Sequence, residues 1–299
     1  MISHSSVMEG VILAPFTTYK VGGPARWFVE PNDLEELRSI LEVTPPAVDV
    51  WVLGRGSNVV ISDEGFDGLV IRLGQGFCAS DVRGDGSVVA GGGLALPVLA
   101  RAAVDAGRGG LEFYVGIPGS VGGAVRMNAG GHGSDTASVL TSARILRLSD
   151  RVVDSVPVGD LAFSYRSSVL SDDDIVVQAT FDTYGIDPEV GREELREITR
   201  WRKANQPGGT LNAGSVFKNP EGDSAGAIID RLGLKGTVLG TVTVSDVHAN
   251  WLVASSDATA GDIHRFVQTI RRIVFERSGI ELEPEIRFIG RFADDEVAP

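Results

Sequence analysis

Glycine-rich stretches are the first residues in this chain whose types and spacing point to chemistry. Gly54-Arg55-Gly56-Ser57-Asn58 directly follows the apolar run Val50–Leu53. Closely spaced glycines let backbone N–H groups converge on an anion, and Ser57 and Asn58 add side-chain donors. Taken alone, the same stretch also fits an ordinary strand-to-strand turn. It is not the G-x-G-x-x-G dinucleotide fingerprint, because position 59 is Val and Val59-Val60-Ile61 reads as extended. A second loop, Gly116-Ile117-Pro118-Gly119-Ser120-Val121-Gly122-Gly123-Ala124, offers donors around a proline-fixed turn, and Asn128-Ala129-Gly130-Gly131 follows it. With Gly91-Gly92-Gly93 added, the loops together suggest a ligand carrying a pyrophosphate and a large planar group, as in a dinucleotide cofactor.

Other constellations point elsewhere and fail. Ser215-Val216-Phe217-Lys218 matches S-x-x-K, an acyl-serine signature. That chemistry needs the serine at a helix start with companion S-D-N and K-T-G motifs. Pro220 opposes a helix there, and neither companion is present. His4, His132, His248 and His264 lie far apart without ligand spacing, so no metal site is expected.

The elements that must position these loops read as follows. Ala25–Val29 is extended. Asn32 or Asp33 caps a helix with Leu34, Leu37, Ile40 and Leu41 on one face, and Thr44-Pro45-Pro46 ends it. Val48–Leu53 and Leu69–Leu73 are short strands, and a helix over Leu96–Ala106 stops at Gly107. Residues 109–133 read as turn-rich. Strands follow at Ala143–Leu148 and Ile175–Phe181, then a polar helix over 191–205 with Leu195, Ile198 and Trp201 or Arg202 on one side. The last part predicts a helix at 224–232, strands at Thr241–Val244 and Trp251–Val253, a long helix over Ala260–Ser278 closed by Gly279, and a final strand Leu282–Ile289. These elements make an α+β protein divided at 1–75, 76–188 and 189–299.

The totals narrow the classes. The chain has 299 residues with 43% hydrophobic and 22% charged content, ordinary for a globular protein, and 38 glycines that cluster beside apolar strands. A net charge of −13 argues against a nucleic-acid or anionic-membrane surface, which need a positive field. Cys78 is the single cysteine, which excludes an intrachain disulfide and fits a cytoplasmic setting. No apolar run approaches the ~18 residues of a membrane span, and Met1–Gly10 lacks signal-peptide character. The expected assembly is a monomer or weak oligomer.

In order along residues 15–291, several stretches resemble the UDP-N-acetylenolpyruvoylglucosamine reductases. They are Thr17–Pro24, Leu53–Asn58, Gly116–Ala124, Ser164-Tyr165-Arg166-Ser167-Ser168, Ala213–Pro220, Gly233–Gly236, His248-Ala249-Asn250 and Leu282–Gly290. The single loops occur across the vanillyl-alcohol-oxidase-like flavoproteins, whereas the A-G-S-V-F-K-N-P and E-P-E-I-R-F-I-G blocks are far more specific. The resemblance implies a vanillyl-alcohol-oxidase/PCMH-like FAD-binding fold of two α/β subdomains plus a C-terminal α/β substrate domain. It implies noncovalent FAD, so His132 is a loop histidine rather than a flavin link, with NADPH as reductant. The cofactor contacts carried over are Gly54, Arg55, Gly56, Ser57, Asn58, Gly119, Ser120, Gly122, Gly123, Ala124, Asn128, Ala129 and Gly130. The short stretch Arg166–Asp173 resembles the shorter type of the family, without a tyrosine-bearing substrate loop. The main rival is another flavin oxidoreductase of the same superfamily; a non-catalytic nucleotide-binding protein is the second.

The implied reaction reduces a vinyl ether conjugated to a carboxylate. Hydride reaches the terminal alkene carbon, negative charge builds on the carboxylate, and the other carbon takes a proton. Such a site needs fixed positive charge and an acid. Arg166 matches the family's catalytic arginine, and its fork suits a carboxylate. Ser215 matches the proton donor; a hydroxyl is a weak acid, so Lys218 or a water chain would have to support it. Glu285 matches the assisting glutamate. If Glu281, Glu283 and Glu285 share a strand they share a face, and only the resemblance selects Glu285. Asn219, Lys218 and Lys203 are the expected substrate contacts. Lys203 stands in because Asn205 occupies the place where many relatives carry lysine, and Ala254 replaces a usual asparagine.

Overall fold

The computed structural model describes residues 2–293. Its contacts divide the chain into two compact units of three stretches each. One holds the residues up to 9, 27–55 and 68–202; the other holds 10–26, 56–67 and those from 203 onward.

In the first unit, helix Leu34–Val43 begins at Asp33, whose carboxylate accepts the Glu36 N–H at 2.8 Å. That cap satisfies an orphan donor at the helix start. The helix buries Leu37, Ile40 and Leu41 in a core with Trp27, Val29, Leu69 and Ile71. Val50–Val52 runs parallel to Leu69–Ile71. A five-stranded antiparallel sheet takes the order Val153–Pro157, Leu140–Arg147, Asp174–Phe181, Val88–Gly91, Ser80–Val82. Helix Leu96–Asp105 packs Leu96, Leu99, Ala100, Ala103 and Val104 into the adjoining core. Gly107 follows it at φ +72°, a left-handed turn that costs glycine little.

The stretch read as turn-rich is more ordered than expected. It contains a 3-10 turn at Glu112–Gly116 and a helix at Val121–Met127, begun by the Ser120 cap. Two glycines inside that helix and the Pro118 turn before it hide its period. The polar helix spans Pro188–Asn205 and buries Gly191, Leu195 and Ile198, while Trp201 stays 50% exposed and Arg202 is half-buried. Gly191 is required by packing: a Cβ there would sit 2.7 Å from Val104 Cγ1.

In the second unit, helix Ala260–Ser278 starts with a reciprocal Thr259/Asp262 capping box and ends before Gly279, φ +72°. Asp63 adds two bonds of 2.9 Å from the Ala260 and Gly261 N–H groups. This helix buries Ile263, Phe266, Val267, Ile270 and Val274 against Tyr19, Val60, Val216, Phe217 and Ile228. Each fully buried large apolar side chain contributes about 1.5–3 kcal/mol. Val238–Leu239, Val242–Val244 and Leu252–Ala254 form an antiparallel sheet, and Val59–Ile61 pairs in parallel with Arg287–Ile289.

The expected strand Leu282–Ile289 is regular only over Arg287–Ile289. Before it, Pro284 can give no ladder hydrogen bond, and the N–H groups of Glu285 and Ile286 both turn to the Val216 carbonyl, at 2.7 and 3.5 Å.

Candidate active site

The loop after Val52 carries the clearest anion geometry. Among the described residues, no protein acceptor takes the N–H of Gly54, Arg55, Gly56, Ser57 or Asn58. Gly56 lies at φ +63°, and a Cβ there would stand 2.1 Å from the Phe16 carbonyl oxygen. The Gly56 carbonyl in turn holds Thr18 N–H at 3.0 Å. A run of unspent amides through a left-handed glycine fits a pyrophosphate.

The second loop differs from expectation. Val121, Gly122 and Gly123 spend their N–H groups internally, on Leu94 O, Gly92 O and Ser120 Oγ. Gly91-Gly92-Gly93 is also explained by packing, because a Cβ on Gly91 or Gly92 would lie 2.1 Å from Phe77 O or 1.9 Å from Val176 O. Gly123 is left open apart from Ser120 Oγ, and Gly131 has nothing within 4 Å. What this region offers a planar ligand is bare, close-approach backbone rather than a ring of donors. Gly119, Ala124 and Ala129 belong to the same stretch: Gly119 O accepts Leu96 N–H, and Ala129 O accepts Thr136 N–H at 3.0 Å.

Arg166 sits at the third position of a four-residue turn in which Ser164 and Ser167 exchange N–H···O bonds of 3.1 and 3.2 Å. Its φ of +55° is a conformation ordinarily given to glycine. Its guanidinium lies 5.2 Å from the Tyr165 ring centroid and donates from Nη2 to Gly130 O at 3.1 Å. Asn128, expected as a cofactor contact, is buried and engaged within the protein. Its Nδ2 donates to Ser164 O and Asp135 Oδ2, and its Oδ1 accepts Ala137 N–H. It thereby ties the Gly130 loop to the Arg166 turn. His132, at φ +55°, packs edge-on to Trp201 at 5.0 Å, and burial, then Arg202, holds its pKa below the usual imidazole range.

In the other unit, residues 215–218 are not helical, which removes the helix that S-x-x-K chemistry requires. Val216 O accepts Glu285 N–H, and Lys218 N–H donates to Glu283 O at 2.8 Å. Ser215 and Glu285, both half-buried, therefore lie on laterally bonded segments. The shared-face expectation for the three glutamates fails because the segment is not a regular strand. Glu281 and Glu283 are exposed and pair with Arg271 and Lys218. Lys218 Nζ stands 2.5 Å from Glu283 Oε1, so it is held by that carboxylate rather than by Ser215. Asn219 is exposed and accepts Ala225 N–H through Oδ1 at 3.0 Å, and Lys203 is exposed in the last turn of its helix.

Sequence reasoning gave no role to Asn250, and it read the Asn58 side chain as a donor to an anion, whereas the structure spends that donor within the protein. Asn58 Nδ2 donates to Glu285 O at 3.0 Å, and Asn58 O accepts Arg287 N–H. His248-Ala249-Asn250 was visible as a matching stretch, but only long-range pairing shows what it touches.

Comparison with known proteins agrees with this picture. The FAD binding domain family matches residues 25–154, and the UDP-N-acetylenolpyruvoylglucosamine reductase C-terminal domain matches residues 206–289. The UDP-N-acetylenolpyruvoylglucosamine reductase of Caulobacter vibrioides is 41% identical over 93% of both chains, and that of Rubrobacter xylanophilus is 44% identical over the same shares. The crystal structure of the Thermus caldophilus enzyme superposes with a TM-score of 0.81 at 36% identity, covering 94% of this chain and 98% of that one. The chain belongs to the UDP-N-acetylenolpyruvoylglucosamine reductase family.

Proposed function

We infer that this chain reduces UDP-N-acetyl-3-O-(1-carboxyvinyl)glucosamine to UDP-N-acetylmuramate, using FAD and NADPH, in cytoplasmic peptidoglycan precursor synthesis. The observation that supports this reading is the lateral bonding of the Val216–Lys218 segment, next to Ser215, to the segment that carries Glu285, in a chain that matches UDP-N-acetylenolpyruvoylglucosamine reductases over nearly their whole length. Among the described residues no helix is long and apolar enough to cross a membrane.

The unspent amides from Gly54 to Asn58 fit the pyrophosphate of FAD, and Gly119, Ser120, Gly122, Gly123, Ala124, Ala129 and Gly130 would line its approach. Residues 1–75 and 76–188 are our working FAD regions, and 189–299 the sugar-nucleotide region. Held there, FAD would supply the redox chemistry, a hydride received from NADPH and given to the terminal alkene carbon. Arg166 grips the substrate carboxylate and stabilises the charge that builds there. Ser215 Oγ delivers the proton to the second carbon, and Glu285 supports that transfer. Asn219 and Lys203 serve the nucleotide end. Lys218, with Glu283 beside it, presents a neutralised pair rather than a bare cation.

Anaerobic visible spectroscopy tests the reading. A yellow protein that bleaches with NADPH and regains colour with the enolpyruvyl substrate supports it. One that stays bleached has a different acceptor, and one that cannot be loaded with FAD overturns the cofactor assignment.

A further inference from the structure

The segment after Ser215 is held on two sides. Glu283 and Glu285 bond one edge. On the other, Asn250 makes three contacts: its carbonyl accepts Val216 N–H at 2.9 Å, its Oδ1 accepts Phe217 N–H at 3.0 Å, and its Nδ2 donates to Phe217 O at 2.8 Å. A carboxamide has the donor–acceptor pair of a peptide group, so this side chain acts as one rung of a β-ladder against Phe217. Asn250 is 4% exposed and Phe217 1%, so water cannot replace the rung. Asn250 is itself anchored, because its N–H donates to His248 Nδ1 at 3.2 Å. Gly214, at φ +76°, gives the chain a bend immediately before the serine. The serine thus sits between a turn and a segment clamped on both sides, which fixes the backbone from which its side chain projects.

We infer that Asn250 is a positioning residue for proton delivery: its side-chain amide, paired with Phe217, fixes the strand that aims Ser215. The inference rests on reading Ser215 as the proton donor. A proton donor displaced by about 1 Å loses about 100-fold in rate. Hydride transfer from NADPH to the flavin needs no proton from Ser215, so on this reading that half-reaction is spared.

Two variants of the FAD-loaded enzyme test this. Asn250→Ala removes the rung. Asn250→Asp keeps the shape and the acceptor but sets a carboxylate oxygen against the Phe217 carbonyl; protonation of that buried carboxyl restores a donor. Three quantities are read: amide exchange at Phe217, flavin reduction by NADPH, and reoxidation of dithionite-reduced enzyme by the enolpyruvyl substrate. The expected result is Phe217 exchange faster by about tenfold or more, with near-normal flavin reduction and reoxidation slowed about 100-fold. Measured against wild type at each pH, which cancels protonation of His248 beside Asn250, the Asn250→Asp defect in reoxidation should also shrink as pH falls. Fast exchange with normal reoxidation overturns the inference, as does an equal loss in both half-reactions or a pH-independent Asn250→Asp defect. Ser215→Ala, run alongside, separates the two claims. If it reoxidises normally, the reading of Ser215 falls and this inference with it; if it is slow while both Asn250 variants are fast, only the inference falls.

Discussion

Arg166 combines a strained backbone with a proposed catalytic side chain, and two substitutions pull these apart. At φ +55° a residue with a Cβ carries about 1–2 kcal/mol of strain that glycine avoids. Replacing Arg166 with either Ala or Gly removes the same contacts, the Nη2 bond to Gly130 O and the stack on Tyr165. Only Gly relieves the strain, against about 0.4–1 kcal/mol of added unfolded-state entropy. Arg166→Gly should therefore be more stable than Arg166→Ala by about 0.5–1 kcal/mol, a rise in melting temperature of about 1–3 °C. Both should reoxidise poorly with the enolpyruvyl substrate. Losing two charge-assisted bonds to a carboxylate at about 1.5–3 kcal/mol each slows that step by about 10²–10⁴. Melting curves at matched FAD content and stopped-flow reoxidation measure both. A Gly variant no more stable than the Ala variant refutes the strain argument, and reoxidation at the wild-type rate in either refutes the carboxylate grip.

Other outcomes follow from the same geometry. Ser215→Ala should keep flavin reduction by NADPH and slow reoxidation by about 10²–10⁴, and Glu285→Gln should slow it too, whereas Glu281→Gln should not; a three-way stopped-flow comparison decides. Gly56→Ala, forced against Phe16 O and Thr17 Cα at positive φ, should lower the melting temperature and shed FAD on gel filtration; full retention of flavin would remove Gly56 from the cradle. Burial first, then Arg202 and Lys235 respectively, lowers the pKa values of His132 and His248. Their folded forms stay neutral where the unfolded chain takes a proton, so their contribution is complete above about pH 6.5 and is lost as pH falls through the folded values. Wild type should lose melting temperature relative to His132→Asn between about pH 7 and pH 5; parallel curves would contradict this.

The regular elements were legible wherever period and caps agreed. Asp33, one of the two cap candidates, and Gly279 mark their helices in the sequence as well as in space, because capping acts within one turn. The helix Val121–Met127 was hidden because Gly122 and Gly123 read as loop, although both are helical. The strand Leu282–Ile289 was over-read because alternation at 281, 283 and 285 mimics a pleat that Pro284 interrupts.

By itself the sequence determined the family, the cofactor class and the residues to suspect, since motif order and residue type are properties of one dimension. Only the tertiary structure decided what several of these suspects touch. It showed that Gly91 and Gly92 make room for carbonyls, and that the amides after Gly119 are largely spent while those from Gly54 to Asn58 are not. It also showed that Glu283 belongs to Lys218, and that Asn250 clamps the strand beside Ser215 from 33 positions away. The physical reason is that a donor's partner is set by distance in space, and residues far apart in the chain acquire that distance only when the core closes.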